Sequence, residues 1–379
     1  MLTFQFKLFP NKEQQEKLWL HTNKMNFLYN SMLGERIENQ KLPKAIRQKI
    51  NYFSQKKELV QIKKSDFVVK EIHSQVLQQI PLRLDLAFKS FFKKNKGFPK
   101  FRSCKDFFGI CYPQPKSSYI CKNVFSTKIY GDIRFSKHRE INGNIKQILI
   151  LNKNNSWFIS IITDYEKPKI ATEVCSEIAI DIGLTNLIVD NHGKKTKNAT
   201  HSKYFDKQIA KLQSRRDKVT KKNSRRNRFL SKQIKKLHSL KVRKINDFQH
   251  KVSKTLTQKY NVIYAENLSS KKMSEGSATG LNKAIRNAKF SQFLNFLSYK
   301  AQKLILVNPF NTSKTCNNCG FINDKLKLSD REITCKSCCA VYDRDENAAK
   351  NIFCLGQAIN LGLCTGDSII REALAFKLK

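Results

Sequence analysis

Acidic residues are scarce in this sequence. Its 379 residues hold 30 Asp+Glu against 72 Lys+Arg, a formal net charge of +42 at neutral pH. A compact body with that excess repels itself, and a neutralising polyanion is the usual reason such a charge is tolerated. Nucleic acid is therefore the expected partner. A ribosomal or RNA-packaging protein without chemistry is the plain alternative, and an anionic membrane surface is a weaker one. Long apolar runs are missing too: no segment reaches the roughly 18 uncharged apolar residues of a membrane span. Met1 to Pro10 alternates apolar and polar residues like a strand, without the apolar stretch of a signal peptide, so a soluble, intracellular protein is expected. Internal repeats and long low-complexity tracts are also absent. The 40% hydrophobic content excludes a wholly disordered basic tail, and the length predicts two or three domains.

A disulfide scaffold is excluded on similar grounds. The eleven cysteines are an odd number in a chain read as unsecreted, so at least one is free or otherwise used. Five fall between Cys316 and Cys339, and the other six are scattered singly like ordinary small buried residues. Cys316-Asn317-Asn318-Cys319 and Cys335-Lys336-Ser337-Cys338 are separated by 15 residues, the two-knuckle pattern of a structural zinc site. Each Cys-x-x-Cys turn brings two thiolates to one tetrahedral ion. Two turns complete the coordination and leave no open position for catalysis. Cys339 follows directly, and adjacent cysteines rarely both reach one metal, so it reads as a spectator. The paired knuckles argue against a thioredoxin-like redox role.

The first 170 residues read as α+β. Leu2 to Leu8 alternates as a strand, Pro10 breaks it, and Asn11 is placed to cap a helix from Lys12 toward Glu38. Lys70 to Lys93 carries Val76, Leu77, Ile80, Leu84, Phe88, Phe91 and Phe92 near helical spacing, with a kink or break required at Pro81. Ile145 to Asn152 and Ser156 to Thr163, joined by Lys153-Asn154-Asn155, predict a β-hairpin. A new unit starts near Ile178 with a buried-type strand. Lys203 to Lys254 then holds 19 Lys/Arg against three Asp, with apolar residues at helical spacing interrupted near Lys221 to Ser224, which predicts a basic helical hairpin. A strand over Asn261 to Ala265, a mobile loop over Ser269 to Gly280, a helix over Asn282 to Lys303, a strand over Leu304 to Val307 and a helix starting near Asp345 complete the reading.

In so basic a chain, an acid embedded in an apolar strand calls for an explanation. Asp181 follows Ile178-Ala179-Ile180, and Glu266 ends Val262-Ile263-Tyr264-Ala265; a buried charge there is costly unless paired or bound to a cation. Asp345 stands where a helix starts. Any one of these reads most simply as a cap or turn residue. Together, an acid in a first strand, an acid at the tip of a later strand and an acid on a late helix form the pattern by which a ribonuclease-H-like fold gathers carboxylates around two magnesium ions. Oxygen donors suit magnesium as thiolates suit zinc.

With these residues in view, the chain resembles the TnpB family of transposon-encoded RNA-guided nucleases, relatives of the compact type V CRISPR effectors. The resemblance is carried by Phe6-Lys7-Leu8-Phe9-Pro10 with Gln14, Tyr29-Asn30, Gly97-Phe98-Pro99-Lys100-Phe101, Ile180-Asp181-Ile182-Gly183, Glu266-Asn267-Leu268, Thr312 to Gly320 and Asp343-Arg344-Asp345-Glu346-Asn347-Ala348-Ala349-Lys350-Asn351-Ile352. It implies an α/β multidomain protein. A wedge-type β-barrel over 1–170 carries a helical recognition insert at about 11–100, and a RuvC-like (ribonuclease-H-like) nuclease domain over 171–311 contains the basic hairpin 203–259. A zinc-knuckle, target-nucleic-acid-binding insert over 312–341 and the end of the nuclease domain over 342–379 follow. Asp181, Glu266 and Asp345 match the family's catalytic, magnesium-binding acids, and Cys316, Cys319, Cys335 and Cys338 its zinc ligands. Cys339 departs from the usual Gly.

The resemblance further implies a guide RNA, cleavage of double-stranded DNA beside a short adjacent motif, no membrane partner and a cytoplasmic, nucleoid-associated setting in a prokaryotic cell, with monomer and dimer both open. The protein would hold nucleic-acid backbones while base pairing reads the sequence. Lys207, Lys211, Arg215, Arg216, Lys221, Lys222, Arg225, Arg226 and Arg228 on the hairpin are candidate phosphate contacts. Phe101, between Lys100 and Arg102, is a candidate stacking platform. An RNA-guided binder that does not cut and a strand-transfer transposase are the alternatives.

Overall fold

The computed structural model describes residues 1–93, 96–104, 109–164, 176–198, 201–268, 279–323, 326 and 330–365. The loop expected over Ser269 to Gly280, as far as residue 278, and the tail beyond residue 365 lie outside them. The chain divides into two units, Met1–Glu166 and Lys167–Lys379.

In the first unit, β1 (Leu2–Phe9) leads into α1 (Lys12–Lys41) through the expected cap. The Asn11 side chain accepts from the Gln14 N–H at 2.8 Å, and the Gln14 side chain accepts in return from the Asn11 N–H at 3.0 Å. Helices α2 (Tyr52–Ser65), α3 (Phe67–Glu71) and α4 (Ser74–Phe92) follow. Of the kink or break expected at Pro81, the break does not occur: α4 runs through it, and the helical stretch divides instead at Ile72 and His73, where the His73 ring accepts from the Gln75 N–H. The stripe Val76, Leu77, Ile80, Pro81, Leu84 and Phe88 is buried. At roughly 1.5–3 kcal/mol per large apolar side chain, that burial outweighs the ~3 kcal/mol that proline costs a helix. Phe92, expected on the same stripe, is exposed.

Strands β2 (Ile110–Tyr112), β3 (Ile120–Cys121), β4 (Val124–Thr127), β5 (Gly131–Phe135), β6 (Ile145–Lys153) and β7 (Ser156–Thr163) join β1. Among the described residues they form a seven-stranded antiparallel sheet in the order β2-β6-β7-β1-β5-β4-β3. The β6–β7 turn is the expected Asn154-Asn155, with φ of 51° and 61°, the left-handed pair a two-residue hairpin needs. The edge strands share no ladder. Side chains bridge them: the Tyr112 ring of β2 lies 6.1 Å from Phe125 of β4 and 5.5 Å from Tyr119, so the sheet curls on itself.

In the second unit, β8 (Glu177–Asp181), β9 (Asn186–Asp190), β10 (Lys195–Lys197), β11 (Val262–Glu266) and β12 (Lys303–Val307) form a sheet in the order β10-β9-β8-β11-β12. β8, β11 and β12 are parallel to their neighbours in that trio, and β9 is antiparallel to β8. The basic hairpin is α5 (His201–Asp217) and α6 (Arg225–Lys259), the latter capped by Ser224. The helix expected over Asn282 to Lys303 is instead two, α7 (Thr279–Ala288) and α8 (Phe290–Lys300), parted where Lys289 adopts a φ of 51°. Strands β13 (Glu332–Thr334) and β14 (Val341–Asp343) pair, and α9 (Arg344–Asn360) ends the described fold.

Strand alternation sorts the sheet's faces. Ile178, Ile180, Ile263 and Ala265 pack with Leu256 of α6 and Phe290, Phe293 and Leu297 of α8. Ala179, Val262, Tyr264 and Val307 pack on the other face with Ile352, Leu355 and Ala358 of α9. A Cβ on Gly356 would stand 2.2 Å from the Tyr264 ring, so glycine there lets α9 lie close against the sheet.

Candidate functional site

Alternation also aims the acids. Asp181 and Glu266 lie two residues beyond Ala179 and Tyr264, so both face α9. The parallel register pairs Ile180 with Ala265, and one further step sets Asp181 beside Glu266 at the ends of adjacent strands. Asp345 stands in the first turn of α9. Its neighbour Asp343 takes the cap, accepting from the N–H groups of Asp345 (3.0 Å) and Glu346 (3.1 Å) and pairing with Lys195 at 2.6 Å.

The electrostatics tie the three acids together. Burial holds the Asp181 carboxyl well above the usual carboxylate range, the nearby charges of Glu266 and Asp345 push it further, and Arg344 offsets part of this. Burial also raises Glu266, against a hydrogen bond from the Thr312 hydroxyl to its Oε1. Asp345 is engaged by Arg331, whose Nη1 lies 2.8 Å from both carboxylate oxygens. Crowded, partly buried carboxylates with oxygen-only donors fit a divalent cation such as magnesium. They stand wider apart than the thiols. Among the described residues, the four cysteines are the only group of three or more such ligands lying within 4.8 Å of one another.

The thiols fit zinc closely. Sγ of Cys316 lies 3.8 Å from that of Cys338, and Sγ of Cys319 lies 3.6 Å from that of Cys335. A tetrahedron with zinc–sulfur bonds of about 2.3 Å has edges of about 3.8 Å. Burial raises the Cys316 thiol, whereas the Ala340 N–H and the Asn318 side chain pull Cys338 down. The knuckles end alike: the Gly320 N–H donates to Cys316 O at 2.9 Å with φ 74°, and the Cys339 N–H to Cys335 O at 3.1 Å with φ 54°. Cys339 thus fills the left-handed position that glycine fills in the first knuckle, its exposed side chain outside the four-thiol group.

On the hairpin, Lys207, Lys211, Arg215, Lys221, Lys222, Arg225, Arg226 and Arg228 are exposed, and Arg216 is half-buried and paired with Asp217. Ile209, Leu230, Ile234 and Ile245 are buried. One base of the run has a different role: Lys241 is 6% exposed, pairs with Asp206 at 2.9 Å and donates to Asn287 at 2.9 Å, stapling α5, α6 and α7 together. In the first unit, Phe101 is 60% exposed between exposed Lys100 and Arg102. The Arg102 guanidinium lies 5.6 Å from the Tyr29 ring centroid, and its backbone is held on both sides by Asn30 at 2.9 Å. Thr312 and Arg331 were not singled out as partners of the acids, because only the fold brings them to Glu266 and Asp345; Arg344, next to Asp345 in the chain, is brought near Asp181.

The geometry defines an α/β protein with a carboxylate cluster and a four-cysteine knuckle on one sheet-and-helix frame, and the chain is similar to several known proteins. Residues 290–352 match the family described as "Cas12f1-like, TNB domain" and 160–276 the one described as "Probable transposase". Residues 1–42 match a "Helix-turn-helix domain" family, although here they form a strand and one unbroken helix. A "Putative RNA-guided DNA endonuclease" of Streptomyces pristinaespiralis is 27% identical over 97% of this chain and 91% of its own length. The "Putative RNA-guided DNA endonuclease InsQ" of Escherichia coli K12 is 26% identical over 94% and 92%. "TnpB-like protein MJ0751" of Methanocaldococcus jannaschii is 30% identical over 56% of this chain and 79% of its own. The fold is shared with Cas12f1 as solved in its sgRNA–target DNA complex, with a TM-score of 0.56 at 18% identity, covering 90% of this chain and 83% of that one. The chain belongs to the TnpB family, related to the type V effectors.

Proposed function

We propose that this protein is an RNA-guided endonuclease that cuts double-stranded DNA beside a short adjacent motif, in a magnesium-dependent reaction at one RuvC-like site. The observation that carries the reading is the convergence of Asp181, Glu266 and Asp345, with Asp181 raised by burial and by the charges of the other two. The names of the relatives support the guide RNA and the DNA target. Asp181, Glu266 and Asp345 would hold the magnesium. Bound there, a pair of ions supplies an activated water and charge stabilisation for the leaving 3′-oxygen. The strand-end positions of Asp181 and Glu266 keep their carboxylates on rigid backbone, and the Thr312 hydroxyl orients Glu266. Cys316, Cys319, Cys335 and Cys338 hold a structural zinc in the 312–341 insert. The exposed hairpin bases and Lys100-Phe101-Arg102 contact nucleic-acid backbone and bases. Residues 1–170 form the wedge-type barrel with its recognition helices, and 171–311 with 342–379 the nuclease domain. We place the protein in the cytoplasm, with its DNA.

The test is to purify the full chain from cells, sequence the RNA that accompanies it, and incubate the complex with matching DNA and magnesium. A discrete RNA and guide-dependent cutting are expected, and Asp181→Ala abolishes cutting while RNA binding persists. Cutting that survives in Asp181→Ala defeats the site assignment, and absence of a discrete RNA defeats the whole reading. The "Probable transposase" description of the family matching residues 160–276 favours strand transfer as a second reading. Joined DNA products on the same gel would establish that reading, and shifted but uncut DNA would indicate a binder.

A further inference from the structure

Buried amides tie the carboxylate cluster to the zinc knuckle. Asn347 and Asn351 sit four residues apart on α9, so they share a face, and both are buried. Asn351 donates through Nδ2 to the carbonyls of Thr312 (2.8 Å) and Thr315 (2.7 Å), and its Oδ1 accepts from Asn317 Nδ2 (2.9 Å). Asn347 donates to the same Thr315 carbonyl (2.7 Å) and accepts from the Asn317 N–H (2.9 Å). The segment they pin starts at Thr312, whose hydroxyl donates to Glu266 Oε1, and runs into the first knuckle at Cys316. Thr312, Thr315, Cys316 and Asn351 are all 2% exposed or less. Asparagine suits position 351: its amide offers two donors and an acceptor, whereas an aspartate cannot donate and a leucine would take the Thr312 carbonyl's side-chain donor away and leave Thr315 with Asn347 alone.

A glutamate carboxylate has three rotatable bonds and binds a cation well only if held in one orientation. Thr312 supplies that hold on Glu266, and its backbone is placed by Asn351. We infer that Thr312 and Asn351 are positioning residues that fix the Glu266 carboxylate for a divalent cation and make its geometry depend on the folded knuckle. This rests on the reading of Asp181, Glu266 and Asp345 as a cation site. Loss of such an outer partner typically weakens metal affinity 10–100-fold.

The experiment is calorimetric titration of the full chain with Mn2+, without substrate, alongside the zinc content and its rate of release to a chromogenic chelator. Thr312→Val is expected to bind Mn2+ at least about tenfold more weakly with one zinc still per chain, and Thr312→Ser to stay within about twofold of the wild type. Asn351→Asp is expected both to weaken Mn2+ binding and to speed zinc release. Wild-type affinity in Thr312→Val, or a Thr312→Ser variant as weak as Thr312→Val, would overturn the role of the hydroxyl. Unchanged Mn2+ affinity and zinc release in Asn351→Asp would overturn the link. Thr312→Ala replaces Thr312→Val should far-UV circular dichroism show the latter misfolded. A wild type whose Mn2+ binding does not depend on Asp181 refutes the cation-site reading itself, whereas a genuine site indifferent to Thr312 refutes only the positioning claim.

Discussion

Replacing Asp181 by asparagine removes one negative charge from the carboxylate cluster while keeping the side chain's shape. Asp181 is raised by burial and by its acidic neighbours above the ordinary value of 3.8. The folded protein therefore keeps that proton to higher pH than the unfolded chain does, and without metal its stability falls as pH rises through the folded value. Asp181→Asn is thus expected to melt higher than the wild type in EDTA at pH 8, with the difference shrinking toward pH 4. Magnesium acts in the opposite direction. For a site with a Kd of about 1 mM, 10 mM Mg2+ stabilises the wild type by about 1.4 kcal/mol through mass action. At about 2–4 °C per kcal/mol for a unit of some 200 residues, that amounts to roughly 3–6 °C. Asp181→Asn should lose most of that rise. Differential scanning fluorimetry across pH, with and without magnesium, reads both effects. A wild type in EDTA at pH 8 at least as stable as the variant, or an equal magnesium shift in both, would refute the crowded-carboxylate argument.

Cys339→Gly is expected to tighten the second knuckle. A left-handed non-glycine residue costs about 1–2 kcal/mol, glycine returns about 0.5–1 kcal/mol of that as chain entropy, and zinc release should slow about two- to fivefold. Faster release in that variant would show the Cys339 turn to be unstrained. Arg331→Gln removes a cation that engages Asp345 at 2.8 Å. An exposed pair of this kind is worth up to ~1 kcal/mol, so half-saturation by Mn2+ should move down by at most about fivefold, and an upward move contradicts the competition. Changing Lys221, Lys222, Arg225 and Arg226 to Gln should lower the slope of log affinity against log salt for duplex DNA by about 0.9 for each lost phosphate contact. An unchanged slope would place the hairpin away from DNA.

Much of the local structure was legible because its causes are local. The Asn11 cap, the Asn154-Asn155 turn and the Cys-x-x-Cys knuckles are each set by a few neighbouring residues whose geometry hardly depends on the rest of the chain. At Pro81 packing keeps whole a helix that propensity alone would break, and Phe92 is exposed although helical spacing had put it on the buried stripe. At Lys289 a left-handed residue split one helical pattern into two helices, a conformation lysine's propensity does not announce. Lys241 is one base among the 19 of the run, and only the fold brings Asp206 and Asn287 to its ammonium group.

The sequence by itself determined that a polyanion is the expected partner, that four thiols are spaced to converge on one point and that three acids stand at element ends, because charge balance, short spacing and strand alternation are properties of the chain. Only the tertiary structure decided which side chains serve those acids. Thr312 lies 46 residues from Glu266 and Asn351 lies 39 from Thr312, and contacts across such separations exist only once the sheet has formed and α9 has packed on its face.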